Sequence, residues 1–193
     1  PIIGPILRRG GAFFMRRSFK DNPLYATVFN EYMHVMFSRG YSVEYFIEGG
    51  RSRTGRMLQP RPGMLAMTVR SFLRDHRKPI VFVPVYIGYE KVMEGRSYLG
   101  ELRGKKKEKE SVFGLAKTVR KLSNSFGRVS VNFGEAIHLS EVLDDVHGSW
   151  RDEAYDAEYR PKWLNSAVSE LSFRVASNIN ASVAVNPIGM AAT

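Results

Sequence analysis

Three short segments of this chain gather side chains suited to holding a phosphate. The richest is Phe46-Ile47-Glu48-Gly49-Gly50-Arg51-Ser52-Arg53-Thr54-Gly55-Arg56. Its adjacent glycines let the backbone approach a ligand closely. The arginines that follow carry planar forks that match phosphate oxygens two at a time, and the amides of a Gly-rich turn add further donors. The competing reading is a basic loop built around a Gly-Gly turn. A P-loop is excluded: Gly50 and Gly55 have its spacing, but Arg56-Met57 stands where Lys and Ser or Thr are required.

The second segment is Phe13-Phe14-Met15-Arg16-Arg17-Ser18-Phe19, where Arg16 and Arg17 either clamp a phosphate or cover the surface as flexible charge. The third is Val83-Pro84-Val85-Tyr86-Ile87-Gly88-Tyr89-Glu90. Pro84 is out of place in so apolar a strand, because it removes a ladder donor. It calls for a bulge, a strand end or a site. The chain has no cysteine, so thiol nucleophiles, disulfides and Cys-ligated metals are excluded. No His cluster suggests a metal, and no organic cofactor is expected.

Behind these segments the sequence alternates strand and helix. An apolar run, Gly10 to Met15, is a candidate strand weakened by its glycines. A helix follows, with Asp21 or Asn22 as cap, Pro23 in its first turn and Gly40 as its stop. Leu24, Val28, Tyr32, Val35 and Met36 predict its buried stripe. Ser42 to Ile47 reads as a strand, and the helix from about Gly63 to Arg74 should bury Leu65, Val69, Phe72 and Leu73. Pro79 to Ile87 is apolar on both faces, as a covered central strand would be. A helix over about Glu110 to Ser123, a strand Val129 to Phe133 and a last helix from Pro161 or Trp163 towards Ala184 complete the pattern. Alternation of this kind predicts an α/β layered domain, its largely parallel central sheet flanked by helices. Ligands then collect beyond the carboxyl ends of strands, here the loops that start at Glu48 and Gly88.

Composition narrows the field. The 193 residues are 44% hydrophobic and 12% aromatic, which excludes disorder and allows one sizeable core. The longest uncharged stretch, Val175 to Thr193, carries Asn, Ser and Pro and does not read as a membrane span. No signal peptide opens the chain. A formal charge of +10 admits nucleic acid, an anionic membrane surface or a phosphorylated substrate as partner. Arg103-Gly104-Lys105-Lys106-Lys107-Glu108-Lys109-Glu110 is either a solvated run or a contact with lipid headgroups or an anionic carrier. The start, Pro-Ile-Ile-Gly-Pro, lacks an initiator Met and suggests a fragment. Residues 1–193 are then a single domain without its N-terminal part, and about 161–193 form a helical segment leading into a further region.

Taken together, the three segments resemble the second, third and fourth sequence blocks of the glycerol-3-phosphate acyltransferase family. Phe37-Ser38-Arg39-Gly40-Tyr41-Ser42-Val43-Glu44-Tyr45-Phe46, Glu101-Leu102-Arg103-Gly104, Val131-Asn132-Phe133-Gly134-Glu135 and the Trp163 region extend the likeness to the membrane-bound bacterial branch. The resemblance implies transfer of a fatty acyl group from acyl-CoA or acyl-carrier protein to the sn-1 hydroxyl of glycerol 3-phosphate, giving lysophosphatidic acid for phospholipid synthesis. It implies phosphate binding by Arg17, with Arg16 beside it, and by Arg51 with Ser52 and Arg53. Glu48 and Gly49 match the third-block pair that serves binding and catalysis, and Pro84 matches the fourth-block proline. No metal or cofactor is implied. The expected place is the cytoplasmic face of the bacterial inner membrane, held peripherally.

The family's first block, His-x4-Asp, supplies the general base, and this chain begins after it. His147 and Asp152 reproduce only the bare spacing, in a polar connection after the fourth block. His34, His76 and His138 have no Asp at that offset; His34 is expected on a helix surface and His138 in a loop. Dihydroxyacetone phosphate acylation is the nearest alternative. A basic nucleic-acid-binding module is the alternative of another class, with no recognised binding motif in its favour.

Overall fold

The computed structural model describes residues 3–16, 18–19, 21–50, 56–89 and 128–184. Helix α1, Ile3–Arg9, opens the chain, and residues 12–16 run on without strand pairing. The candidate strand over 10–15 is therefore absent. The apolar run turns its rings sideways instead. Phe13 meets Phe29 and Tyr32, while Phe19 meets Tyr25 and Phe29, with centroids 5.3–6.2 Å apart.

Helix α2, Pro23–Ser38, has the ends expected of it. Asn22 Oδ1 accepts the Tyr25 N–H at 2.9 Å, Pro23 occupies the first turn, and Gly40 leaves with φ +80°. Its buried face is not the expected one. Phe29 and Met33 are inside, whereas Leu24, Val28, Tyr32 and Val35 are exposed, Leu24 at 74%. Apolar residues occupy more than one side of this helix, so its own sequence does not say which side packs. Helix α3, Gly63–Arg74, settles it. Arg70 Nη2 donates to Asn30 Oδ1 at 2.7 Å, and Arg74 forks onto Glu31 at 2.7 and 3.1 Å. On its other side α3 buries Leu65, Val69, Phe72 and Leu73, the four residues its periodicity predicted.

Residues 41–46 belong to no helix or strand, and the chain turns or bends at 47–50, so the strand over Ser42 to Ile47 is not formed among the described residues. Ile47 still reaches the core. The ladders lie elsewhere, and they are antiparallel. Strand β1, Val81–Phe82, pairs with β4, Ile137–His138; strand β2, Val85–Tyr89, pairs with β3, Val129–Phe133. Among the described residues a large parallel sheet is thus not seen, and the mixed helix–strand character is what remains of the expected architecture. The 79–87 run is not covered on both sides either: Val83, Val85 and Ile87 are exposed.

Helix α4, Leu139–Val146, a 3-10 turn, Trp150–Asp152, and helix α5, Leu164–Ala181, close the described chain. The α5 span agrees with the sequence expectation; α4 and the 3-10 turn were not anticipated. The core lies among α3, β4, α4, the 3-10 turn and α5, with Met33 of α2, Val69, Leu139, Val142, Leu143, Ala167 and Leu171 sealed from solvent. Trp150 sits there as well, its indole Nε1 donating to Asp144 Oδ1 at 2.8 Å. The expected helix over 110–123 and the lysine run at 105–109 lie outside the described residues.

Candidate functional site

The Glu48 loop is built by its neighbours in sequence. Ile47 is anchored in the core, its carbonyl accepts the Arg61 N–H at 2.8 Å, and the Gly49 N–H donates to the Phe46 carbonyl at 3.1 Å. That tight turn puts Gly49 at φ +57°, a left-handed conformation that other residues adopt at a cost of about 1–2 kcal/mol. A Cβ there would also fall 2.6 Å from Arg61 Cδ, so the Arg61 side chain lies across the glycine. The backbone angle is what favours glycine at 49, since the exposed Arg61 side chain can move aside. The half-buried Glu48 points its carboxylate along the loop, and Oε2 accepts the Leu58 N–H at 2.6 Å. Of the arginines and hydroxyls proposed for this loop, Arg51, Ser52 and Arg53 lie outside the described residues.

Arg16 is held at the N-terminal end of α2. Its N–H donates to the Tyr25 hydroxyl at 3.0 Å, and its guanidinium sits 4.9 Å from the centre of the same ring. This is a placed cation, not a freely waving one. Arg17, its neighbour, lies outside the described residues. Among the described residues no hydrogen bond or ion pair joins Arg16 to Glu48.

Pro84 is buried between β1 and β2. Opposite it, the partner strand carries one residue more: Val83 and Pro84 face Gly134, Glu135 and Ala136 between the paired residues Phe82–Ile137 and Val85–Phe133. The proline therefore sits at a β-bulge, one of the outcomes its sequence position allowed. Its carbonyl still accepts the Gly134 N–H at 2.8 Å, so only its missing donor is lost to the ladder. Gly134 was not singled out as a site residue, and geometry explains it. A Cβ there would lie 2.9 Å from Ser182 Oγ, 3.1 Å from the Asn178 carbonyl and 3.2 Å from Pro84 Cβ. The end of α5 is tied to the same place: Asn132 Nδ2 donates to the Ser182 carbonyl at 2.8 Å, and Asn178 Nδ2 to the Glu135 carbonyl at 3.2 Å.

The histidines behave as structural groups. His147 Nε2 lies 2.5 Å from Glu153 Oε1, and its ring stacks on Trp163 with centroids 4.8 Å apart. Its carboxylate partner is thus Glu153, not the Asp152 of the bare spacing match. His34 is half-buried, not a plain surface residue, and Nδ1 lies 2.9 Å from Ser71 Oγ in α3. His138 is an exposed residue of β4 rather than of a loop. Among the described residues no group of His, Asp and Glu is arranged to hold a metal ion. None of the described helices is long and apolar enough to cross a membrane.

Residues 1–88 match the acyltransferase family model, and residues 98–193 match the model described as the glycerol-3-phosphate acyltransferase C-terminal region. The chain is 62% identical over 192 residues to a protein of Ectopseudomonas mendocina named glycerol-3-phosphate acyltransferase. It is 63% identical to a protein of that name from Pseudomonas aeruginosa UCBPP-PA14 and 60% identical to one from Pseudomonas fluorescens Pf-5. In each case the whole chain is covered, and it spans 23% of the relative's length.

Proposed function

Because the chain belongs to the glycerol-3-phosphate acyltransferase family, we propose that the protein carrying it moves a fatty acyl group from a thioester to glycerol 3-phosphate. The donor is acyl-CoA or acyl-carrier protein, and the acceptor oxygen is the sn-1 hydroxyl. That oxygen attacks the thioester carbonyl, the carbon–sulfur bond breaks, and the hydroxyl proton ends on the departing thiol. The product is lysophosphatidic acid, a precursor of phospholipids.

The observation that supports this reading most is the closed Glu48–Leu58 loop, anchored to the core at Ile47. Its sequence carries Arg51, Ser52 and Arg53, groups suited to an acceptor phosphate. Arg16, seated on Tyr25, and Arg17 beside it supply the second set of charges. Pro84 shapes the strand from which the fourth block emerges. The base belongs to none of the chain's histidines; a first-block His-x4-Asp in the full-length protein fills that role. The protein works on the cytoplasmic face of the inner membrane, where its acyl product enters the bilayer.

Steady-state kinetics on the full-length protein test the reading. Arg17→Ala and Arg51→Ala should raise KM for glycerol 3-phosphate by about 10- to 150-fold, the value of a desolvated charge-assisted bond, and leave KM for the acyl donor near wild type. Arg51→Lys should rescue poorly, since an ammonium keeps the charge and loses the fork. Wild-type KM in both alanine variants, or full rescue by lysine, would remove these arginines from the phosphate site. Equal turnover of dihydroxyacetone phosphate would widen the acceptor class.

A further inference from the structure

We infer that Tyr25 is a positioning residue for the acceptor: its ring carries the Arg16 guanidinium and its hydroxyl tethers the Arg16 main chain, holding that cation ready for an anion. The inference rests on the reading that Arg16 contacts the phosphate of glycerol 3-phosphate.

Arg16 is exposed, in a stretch without helix or strand pairing to hold it. One side chain nine residues on does so instead. The Tyr25 hydroxyl accepts the Arg16 backbone N–H at 3.0 Å, and the guanidinium carbon lies 4.9 Å from the centre of the same ring. The seat is itself fixed. Tyr25 stands in the first turn of α2, its N–H bonded to Asn22 Oδ1 at 2.9 Å. Its ring lies 5.5 Å from that of Phe19 and 6.3 Å from that of Phe29, which is buried. Placement thus passes from the buried side of α2, through one aromatic ring, to the cation. The contact leaves the chemistry of the guanidinium intact. A cation–π contact acts through the charge over the ring face and uses none of the N–H donors. Among the described residues no carboxylate or carbonyl takes those donors either. The fork is open while its position is set. An arginine waving freely would lose its rotamer freedom on capturing a phosphate, and a seated one has less to lose. Tyr25 therefore tightens acceptor binding through Arg16, without touching the acceptor.

Steady-state kinetics on the full-length protein, with glycerol 3-phosphate and an acyl-CoA, separate this role from a merely structural one. Tyr25→Leu should raise KM for glycerol 3-phosphate about tenfold, within the reach of one cation–π contact. The acyl-CoA KM should stay near wild type and kcat within about twofold, the pattern of lost acceptor binding. Tyr25→Phe keeps the ring and gives up the tether, so its acceptor KM should rise about threefold or less. Arg16→Ala removes the group that is seated. Adding Tyr25→Leu to Arg16→Ala should then change the acceptor KM by no more than about twofold, because the tyrosine acts through the arginine. Tyr25→Met fills the same space without a π face and replaces Leu in both backgrounds if the melting temperature drops. Two losses that multiply in the double variant would overturn the positioning role, since Tyr25 would then act independently. A wild-type acceptor KM in Tyr25→Leu beside an impaired Arg16→Ala would overturn it as well and leave Arg16 in the phosphate site. A Phe variant as impaired as Leu would overturn the seat on the ring. A wild-type acceptor KM in Arg16→Ala would instead remove Arg16 from the phosphate site, and the underlying reading would fail first.

Discussion

At the scale of single residues, the functional distinction lies between side chains committed to the fold and side chains left to act. His147 is committed: Glu153 holds its ring nitrogen and Trp163 covers its face. His147→Gln in the full-length protein should therefore keep kcat within about twofold, because a lost general base would cost about 10²–10⁴. A collapse of kcat with melting temperature unchanged would make it the base after all. What was legible at this scale was whatever depends on a few neighbours. Asn22, Pro23 and Gly40 mark the ends of α2 because capping and left-handed backbone are local demands. Pro84 announced an irregular strand for the same reason. The contact between Glu48 and Leu58 was not legible, since nothing in the sequence says that a carboxylate ten residues away will meet that amide.

Among the elements, α3 and α2 show where periodicity succeeds and fails. Helix α3 has one apolar side, and its four core residues were readable. Helix α2 is apolar on several sides, and its partner chose Phe29 and Met33 over the expected stripe. The Glu31–Arg74 fork between the two helices makes this choice pH-dependent. Hydrogen bonding and the charge of Arg74 hold the Glu31 carboxyl below its ordinary value. A depressed carboxylate contributes stability that is present above its unfolded pKa and lost as pH falls through the folded one. Glu31→Gln should thus flatten the loss of stability below about pH 4.5, as read by urea titration across that range. The pair is partly exposed, so the effect should be modest. The hairpin of β2 and β3 offers a sharper contrast. Phe133 is 71% exposed and Leu65 is sealed. Phe133→Ser should change unfolding free energy by no more than about 0.5 kcal/mol, while Leu65→Ala should cost about 2–5 kcal/mol. A large loss at Phe133 would mean that the hairpin face is covered in solution. The strand order itself was misread because alternation of strand and helix favours parallel pairing, whereas the pairing seen here joins β2 to β3 across 39 intervening residues.

For the molecule as a whole, the charge of +10 invites a membrane test. If Lys105, Lys106, Lys107 and Lys109 lie against anionic lipid, each contributes about 1 kcal/mol near the surface. A fourfold Lys→Gln variant of the full-length protein should then sediment markedly less with anionic vesicles at low salt, and the difference should fade as salt screens it. Equal sedimentation would reduce the run to a solvated loop. The bulge at Pro84 has a consequence of another kind. Along the strand from Val129 to Phe133 the odd-numbered side chains face solvent; past Gly134, Glu135 and Ala136 the odd-numbered Ile137 and Leu139 are buried. The extra residue works like a shift of reading frame, reversing the parity that decides inside from outside. Glu135 and Ala136 look like dispensable surface positions, since both are exposed. Deleting one of them would trim no loop. It would turn Ile137 and Leu139 outward or drive Val131 and Phe133 inward, and every side chain on one arm of the strand would change its solvent.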